Sequence, residues 1–220
     1  RYARVTGVQT CALPIYVSKL ESIVFDKKVV IPDPPFLPKD KIDPELIKMS
    51  EEKGLIGFCA ARRVPSDYYE KKDLEYRREC VGAQTIDQLT KCIIYEIQDC
   101  PKEEDKYICV MVQYIDKVNN RKLLDAASKI IGSKVTQIQR AEESIAGKLS
   151  GAKHNAMTPV FLRPQKGYEK YNVSVLMSQK IAAMNPPFFW LGGGEIDVKY
   201  GIDTRKFVAT FKPHIFDISA

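Results

Sequence analysis

Apolar positions along this chain fall into short runs of strand length, separated by polar turns and by a few stretches with helical spacing. The longest β-prone run is Lys106 to Tyr114 (KYICVMVQY), continuous in the manner of strands buried in a sheet interior. Lys91 to Glu96 predicts a second strand, entered from a brief helix over Thr85 to Leu89. Further strands are predicted at Phe58 to Val64, at Tyr171 to Met177 and at Ile196 to Tyr200. Within Lys153 to Arg163, the loop His154 to Pro159 is predicted to lead into one more apolar strand.

Helix signals are interleaved with these runs. Asp43-Pro44-Glu45 supplies a capping side chain, a proline at the first position and an acid in the first turn. Leu46, Ile47, Met49 and Leu55 then give an apolar face ending near Gly54. Asn119-Asn120 turns the chain into a helix over Arg121 to Ile131, and Ala141 to Leu149 forms another that stops at Ser150-Gly151. Thr204 to Phe211 suits a helix or a strand equally. Strands alternating with short helices place the chain in the α/β class.

The run Phe188-Phe189-Trp190-Leu191-Gly192-Gly193-Gly194-Glu195 sets the only tryptophan just before three glycines. Each glycine costs conformational entropy on folding, so three together mark a tight turn or a close approach of main chain. The spacing of a dinucleotide-binding loop is absent and no helix follows at once.

Two segments stand apart. Arg1 to Ile15 reads as translated library or adapter sequence joined to a true reading frame, with a short natural N-terminal arm as the alternative. Val29 to Pro44 holds five prolines, at 32, 34, 35, 38 and 44, a density that blocks regular structure. The expected organisation is an N-terminal extension over 1–42, one domain over 43–214 and a tail over 215–220.

Composition narrows the function. With 45% apolar residues, 220 residues suffice for one substantial core, and no apolar stretch reaches the roughly 18 residues of a membrane span. A net charge of +6 favours a polyanionic partner only weakly. The six cysteines (Cys11, Cys59, Cys80, Cys92, Cys100, Cys109) show neither close pairing nor metal-ligand spacing, which fits a reduced, cytoplasmic setting. His154 and His214 are the only histidines, a scarcity that argues against Ser-His or Cys-His catalysis and against most zinc sites. Neither a cofactor nor a metal is expected.

Three blocks of sequence carry a resemblance: Leu89-Thr90-Lys91-Cys92-Ile93-Ile94-Tyr95; Leu149-Ser150-Gly151 followed by His154 to Val160; and Gly192 to Val198. Over roughly Gly54 to Pro213 the chain resembles the YbaK family of aminoacyl-tRNA editing domains, also called prolyl-tRNA synthetase-associated domains. "RVPSDYY" at Arg63 to Tyr69, "HNA" at 154 to 156 and "FFWLGGGE" at 188 to 195 look like an uncharacterised eukaryotic subgroup. The resemblance implies a mixed, partly curled sheet flanked by short helices, enclosing a cleft for the acceptor end of aminoacyl-tRNA. It implies trans-acting hydrolysis of mischarged aminoacyl-tRNA, with an aminoacyl-tRNA synthetase as a second partner and no membrane.

The same likeness puts Lys91 at the family's functional lysine, close to the terminal phosphate or ribose. Asn155, Ala156, Met157, Thr158 and Pro159 stand at the family's G-x-x-x-P loop, which positions the acyl carbonyl and its attacking water; Asn155 and Pro159 are thus catalytic candidates beside Lys91. The leading glycine has become Asn155, a residue that tolerates the left-handed backbone better than most. His154, Ala156, Met157, Thr158 and the glycines Gly192, Gly193 and Gly194 are substrate-binding candidates. Tyr68 and Tyr69 could stack on the terminal adenine or pack on the sheet. The competing function is a tRNA- or synthetase-binding module of the same fold without turnover.

Overall fold

The computed structural model describes residues 42–71 and 73–220; residues 1–41 of the expected N-terminal extension, with its prolines at 32 to 38, lie outside the described residues. Helix α1 (Pro44–Glu52) starts where Asp43 accepts the Glu45 amide at 3.0 Å. Strand β1 (Cys59–Arg63) and a short 3₁₀ turn (Ser66–Tyr68) precede α2 (Leu74–Val81). Strands β2 (Thr90–Ile97) and β3 (Tyr107–Gln113) form a hairpin, followed by α3 (Asn120–Ile131), β4 (Ile138–Arg140) and α4 (Glu143–Ser150). The C-terminal part runs β5 (Ser174–Ser178), α5 (Gln179–Ala182), β6 (Phe188–Gly192), β7 (Val198–Asp203), α6 (Thr204–Phe211) and β8 (His214–Phe216).

Two sheets result. One is antiparallel in the order β1-β7-β6; the other is mixed, β4-β2-β3-β5-β8, with β3-β5 and β5-β8 parallel. They meet where Leu89 bridges Trp190 and the Thr90 hydroxyl donates to the Trp190 carbonyl at 2.8 Å. Neither sheet closes, so the α/β architecture keeps an open seam on the side of β2 that faces β6.

The core follows the apolar pattern. All seven residues of β3 are buried, as its uninterrupted run requires. One apolar cluster lies between α1, α6 and the smaller sheet and includes Leu46, Phe189, Tyr200 and Phe207. A second packs Leu123, Ala126 and Ala127 of α3 against Ile97, Ile108 and Val110.

Several local expectations change. The apolar stretch after Pro159 is not a strand but a 3₁₀ turn (Pro159–Phe161), because the Thr158 hydroxyl caps the Val160 amide at 3.2 Å and Pro159 starts the turn. Strand β7 begins at Val198, since Glu195 to Asp197 are spent on a turn whose Glu195 carbonyl accepts the Val198 amide. Thr204 to Phe211 resolves as a helix because the Asp203 carboxylate accepts the amides of Arg205 and Lys206. Helix α2 was not anticipated, although Asp73 at its start and left-handed Gly82 at its end are ordinary helix boundaries. Residues 215–220 pack rather than trail: β8 joins the sheet and Ile218 is fully buried.

Candidate active-site cleft

The seam between the sheets opens into a cleft of about 340 Å³. Its walls are β2, one face of α4, the loop after α4, the Tyr68-Tyr69 pair and the ends of β6 and β7. Five of the sequence candidates line it together: Lys91, His154, Asn155, Met157 and Gly192.

Lys91 is the second residue of β2 and is half-buried. Its Nζ donates to the Asp116 carbonyl at 3.0 Å and the Tyr114 carbonyl at 3.4 Å, and lies 5.8 Å from the centre of the Tyr114 ring. Burial, with Arg140 nearby, draws its pKa below the usual lysine value, and Asp116 opposes the shift. Its hydrogen-bond partners are carbonyl oxygens, so among the described residues no carboxylate is bonded to the ammonium.

The loop after α4 is shaped by main chain. Asn155 sits at φ +65°, in the left-handed region that asparagine accepts at lower cost than most residues. Its carbonyl accepts from the Tyr69 phenol at 2.8 Å and from Lys199 Nζ at 3.5 Å. The next carbonyl, of buried Ala156, accepts the Gly194 amide at 2.9 Å. Among the described residues, no acceptor engages the amides of Asn155 and Met157. The carbonyls of Asn155 and Ala156 are thus tied, while the amides of Asn155 and Met157, two cleft-lining residues, have no acceptor among the described residues.

Gly192 explains why the hairpin approaches so closely. A Cβ built there would lie 2.5 Å from the Met157 carbonyl oxygen and 2.8 Å from the Ala156 carbonyl carbon. Only glycine allows this contact. Gly193 and Gly194 stand behind the cleft wall rather than on it; Gly193 bonds the Val198 carbonyl and Gly194 holds the loop. Ala156, Thr158 and Pro159 are buried and do not line the cleft: Thr158 and Pro159 build the 3₁₀ turn that ends the loop. His154 is solvated, with Nδ1 3.8 Å from exposed Glu143.

Lys199 is the residue that the sequence reading missed. It sits in the middle strand of the smaller sheet, is 4% exposed, and reaches the cleft wall. Its Nζ donates to the Tyr69 phenol oxygen and to the carbonyls of Asn155 and Ile196, and lies 4.4 Å from the Tyr69 ring centre. Burial, with help from Arg77, pulls its pKa down to about 7, while Asp197 works the other way. The signal lay in Val198-Lys199-Tyr200: a lysine inside an apolar strand run is a charge that folding must accommodate. Arg77, from the unforeseen α2, lies 5.3 to 5.4 Å from the ring centres of Tyr68, Tyr69 and Tyr114 and donates to the Tyr68 carbonyl at 3.1 Å. It fixes the tyrosines that reach into the cleft.

Comparison with known proteins is informative at the level of fold. No family model matches the sequence. No curated protein matches it either. Solved structures do match. One described as a candidate trans-editing enzyme for prolyl tRNA synthetase is 13% identical with a TM-score of 0.61, covering 82% of this chain and 99% of that one. The hypothetical protein APE2540 is 13% identical with a TM-score of 0.60, covering 80% and 99%. A scaffold from a study of epitope backbone grafting by computational design is 14% identical with a TM-score of 0.60, covering 80% and 96%. The chain therefore has the fold of that candidate editing enzyme, a YbaK-like mixed α/β arrangement.

Proposed function

We propose that this protein hydrolyses the ester of mischarged aminoacyl-tRNA in trans. The observation that carries the reading is convergence: Lys91, Asn155, Met157 and Gly192 line one cleft whose size suits a small acyl group and part of a terminal nucleotide. Lys91 offers a compact cation to phosphate or ribose oxygen. The uncommitted amides of Asn155 and Met157 supply donors for a carbonyl oxygen that gains charge as water attacks. An ester needs little further acid–base help, which agrees with a cleft whose only histidine is a solvated one. The partners are then the acceptor end of aminoacyl-tRNA and an aminoacyl-tRNA synthetase, met in the cytoplasm; no described helix is long and apolar enough to cross a membrane.

The test is a deacylation panel of tRNAs carrying alanyl, cysteinyl or seryl esters, with Lys91→Ala as control. Turnover of at least one mischarged species, lost in Lys91→Ala, supports the proposal; no turnover across the panel overturns it. Binding without turnover is the second reading, and the Asn155 side chain on the cleft wall, where the family keeps a bare glycine, favours it. Salt-sensitive tRNA association with no release of amino acid would establish that alternative.

A further inference from the structure

We propose that Lys199 is a positioning residue, whose ammonium acts with the Tyr69 phenol to hold the Asn155 carbonyl and thereby set the orientation of the loop that receives the ester. The proposal rests on the editing reading for its consequence, and on geometry for the clamp itself.

The clamp is a closed triangle. Lys199 Nζ donates to the Tyr69 oxygen and to the Asn155 carbonyl, and the Tyr69 phenol donates to that same carbonyl. A third lysine proton goes to the Ile196 carbonyl at 3.2 Å. An ammonium carries three protons and no acceptor lone pair, so three acceptors around Nζ match its charged form. A neutral amine keeps two protons and gains a lone pair, so it either releases one oxygen or accepts the Tyr69 proton, and in both cases the Asn155 carbonyl can lose a donor. The Asn155 contact, at 3.5 Å, is the longest of the three and the first to loosen.

Because a carbonyl and the next amide share one plane, rotation of the Asn155 carbonyl turns the Ala156 amide with it and tilts the segment leading to Met157. Buried lysines usually sit against a carboxylate; here Asp197 contributes only at longer range while carbonyls and phenol rings make the contacts. The titratable and charged groups that face Nζ are Tyr68 and Tyr69 after β1, Arg77 on α2 and Asp197 in the β6–β7 turn; Tyr114, at the end of β3, acts through Tyr69. His154 is the neighbour on the loop itself. Lys199 titrates near neutrality through burial, so the clamp changes donor count in that range.

The deciding experiment follows the loop amides by NMR on the full chain labelled with ¹⁵N. His154→Gln is introduced to remove the neighbouring imidazole. The expected result is a shared midpoint near pH 7 for the amides of Asn155, Ala156 and Met157, absent in Lys199→Arg and Lys199→Met. In parallel, kcat and KM are measured on alanyl-tRNA mischarged onto a non-cognate tRNA. Lys199→Met is expected to lower kcat by about 10- to 100-fold with KM little altered, and Lys199→Arg to restore part of it.

Tyr69→Phe, which removes only a hydroxyl, gives the same direction should Lys199→Met fail to fold. Loop amides that titrate alike with and without Lys199 overturn the proposal, as does a folded Lys199→Met or Tyr69→Phe enzyme with unchanged kcat. If the unmodified protein deacylates nothing, the editing reading falls, and the NMR titration alone decides the clamp.

Discussion

Gly192 lies directly against the main chain at Met157, so close that a methyl group at position 192 would meet the Met157 carbonyl oxygen at 2.5 Å. Two segments 35 residues apart in sequence (192 − 157) are thereby brought to one surface. The opposing atoms are backbone, which cannot swing aside as a side chain does. Gly192→Ala is therefore expected to destabilise the protein by about 1–3 kcal/mol and to push the loop from the cleft. Urea unfolding checks the first effect and the deacylation panel the second. Wild-type stability with wild-type turnover would mean that the hairpin and loop are not locked together.

Asn155 invites the opposite substitution. At φ +65° glycine meets no steric penalty, whereas a β-branched residue meets one of about 1–2 kcal/mol. Asn155→Gly is expected to keep stability within about 1 kcal/mol of wild type and to retain or raise deacylation. Asn155→Val should lose at least about 1 kcal/mol and most turnover. If valine were accepted without cost, the left-handed turn would not be a requirement of the loop.

Most of this architecture is legible in the sequence because strand and helix periods dominate where burial is complete. The run at Lys106 to Tyr114 becomes the fully buried β3, and Asp43-Pro44-Glu45 becomes a capped helix start. Errors came where a short apolar stretch met a local capping group, as at Thr158-Pro159, since hydrophobicity alone does not separate a 3₁₀ turn from a strand. Of the candidate site residues named from the sequence, Lys91, His154, Asn155, Met157 and Gly192 line one cleft. Lys199 was not legible, because its partners are the Tyr69 phenol and a backbone carbonyl, contacts that exist only once β7 is threaded between β1 and β6. Tyr68 and Tyr69 drew notice, yet what orients them, Arg77, sits on a helix that the sequence reading omitted.

Lys91 separates stability from activity. Its ammonium is half-buried and bonded to two carbonyls that water could serve in its place. The burial that draws its pKa down also offsets part of what those bonds contribute. Lys91→Met keeps much of the apolar stem, so unfolding free energy should change by less than about 1 kcal/mol. Deacylation should fall by about 10²-fold or more if the amine meets developing or resident negative charge on substrate. A parallel loss of both quantities, measured by urea titration and by turnover, would make Lys91 a structural residue instead.

Lys199 predicts a pH dependence of stability whose sign can be worked out. Its folded pKa is near 7, below the 10.5 of an exposed lysine. Between those values the unfolded chain binds a proton that the folded chain has released, so this group makes stability rise with pH across that window. The slope approaches 1.36 kcal/mol per pH unit for one proton and disappears below the folded pKa, where both states are charged. The buried tyrosines titrate above the window and are present in both proteins compared, so their contribution largely cancels in a difference. Urea unfolding of wild type and Lys199→Met between neutral pH and about pH 10 should show wild type gaining on the variant as pH rises. Curves that stay parallel would mean that Lys199 keeps its proton throughout, and the donor count at the Asn155 carbonyl would then be the same at every pH in that range.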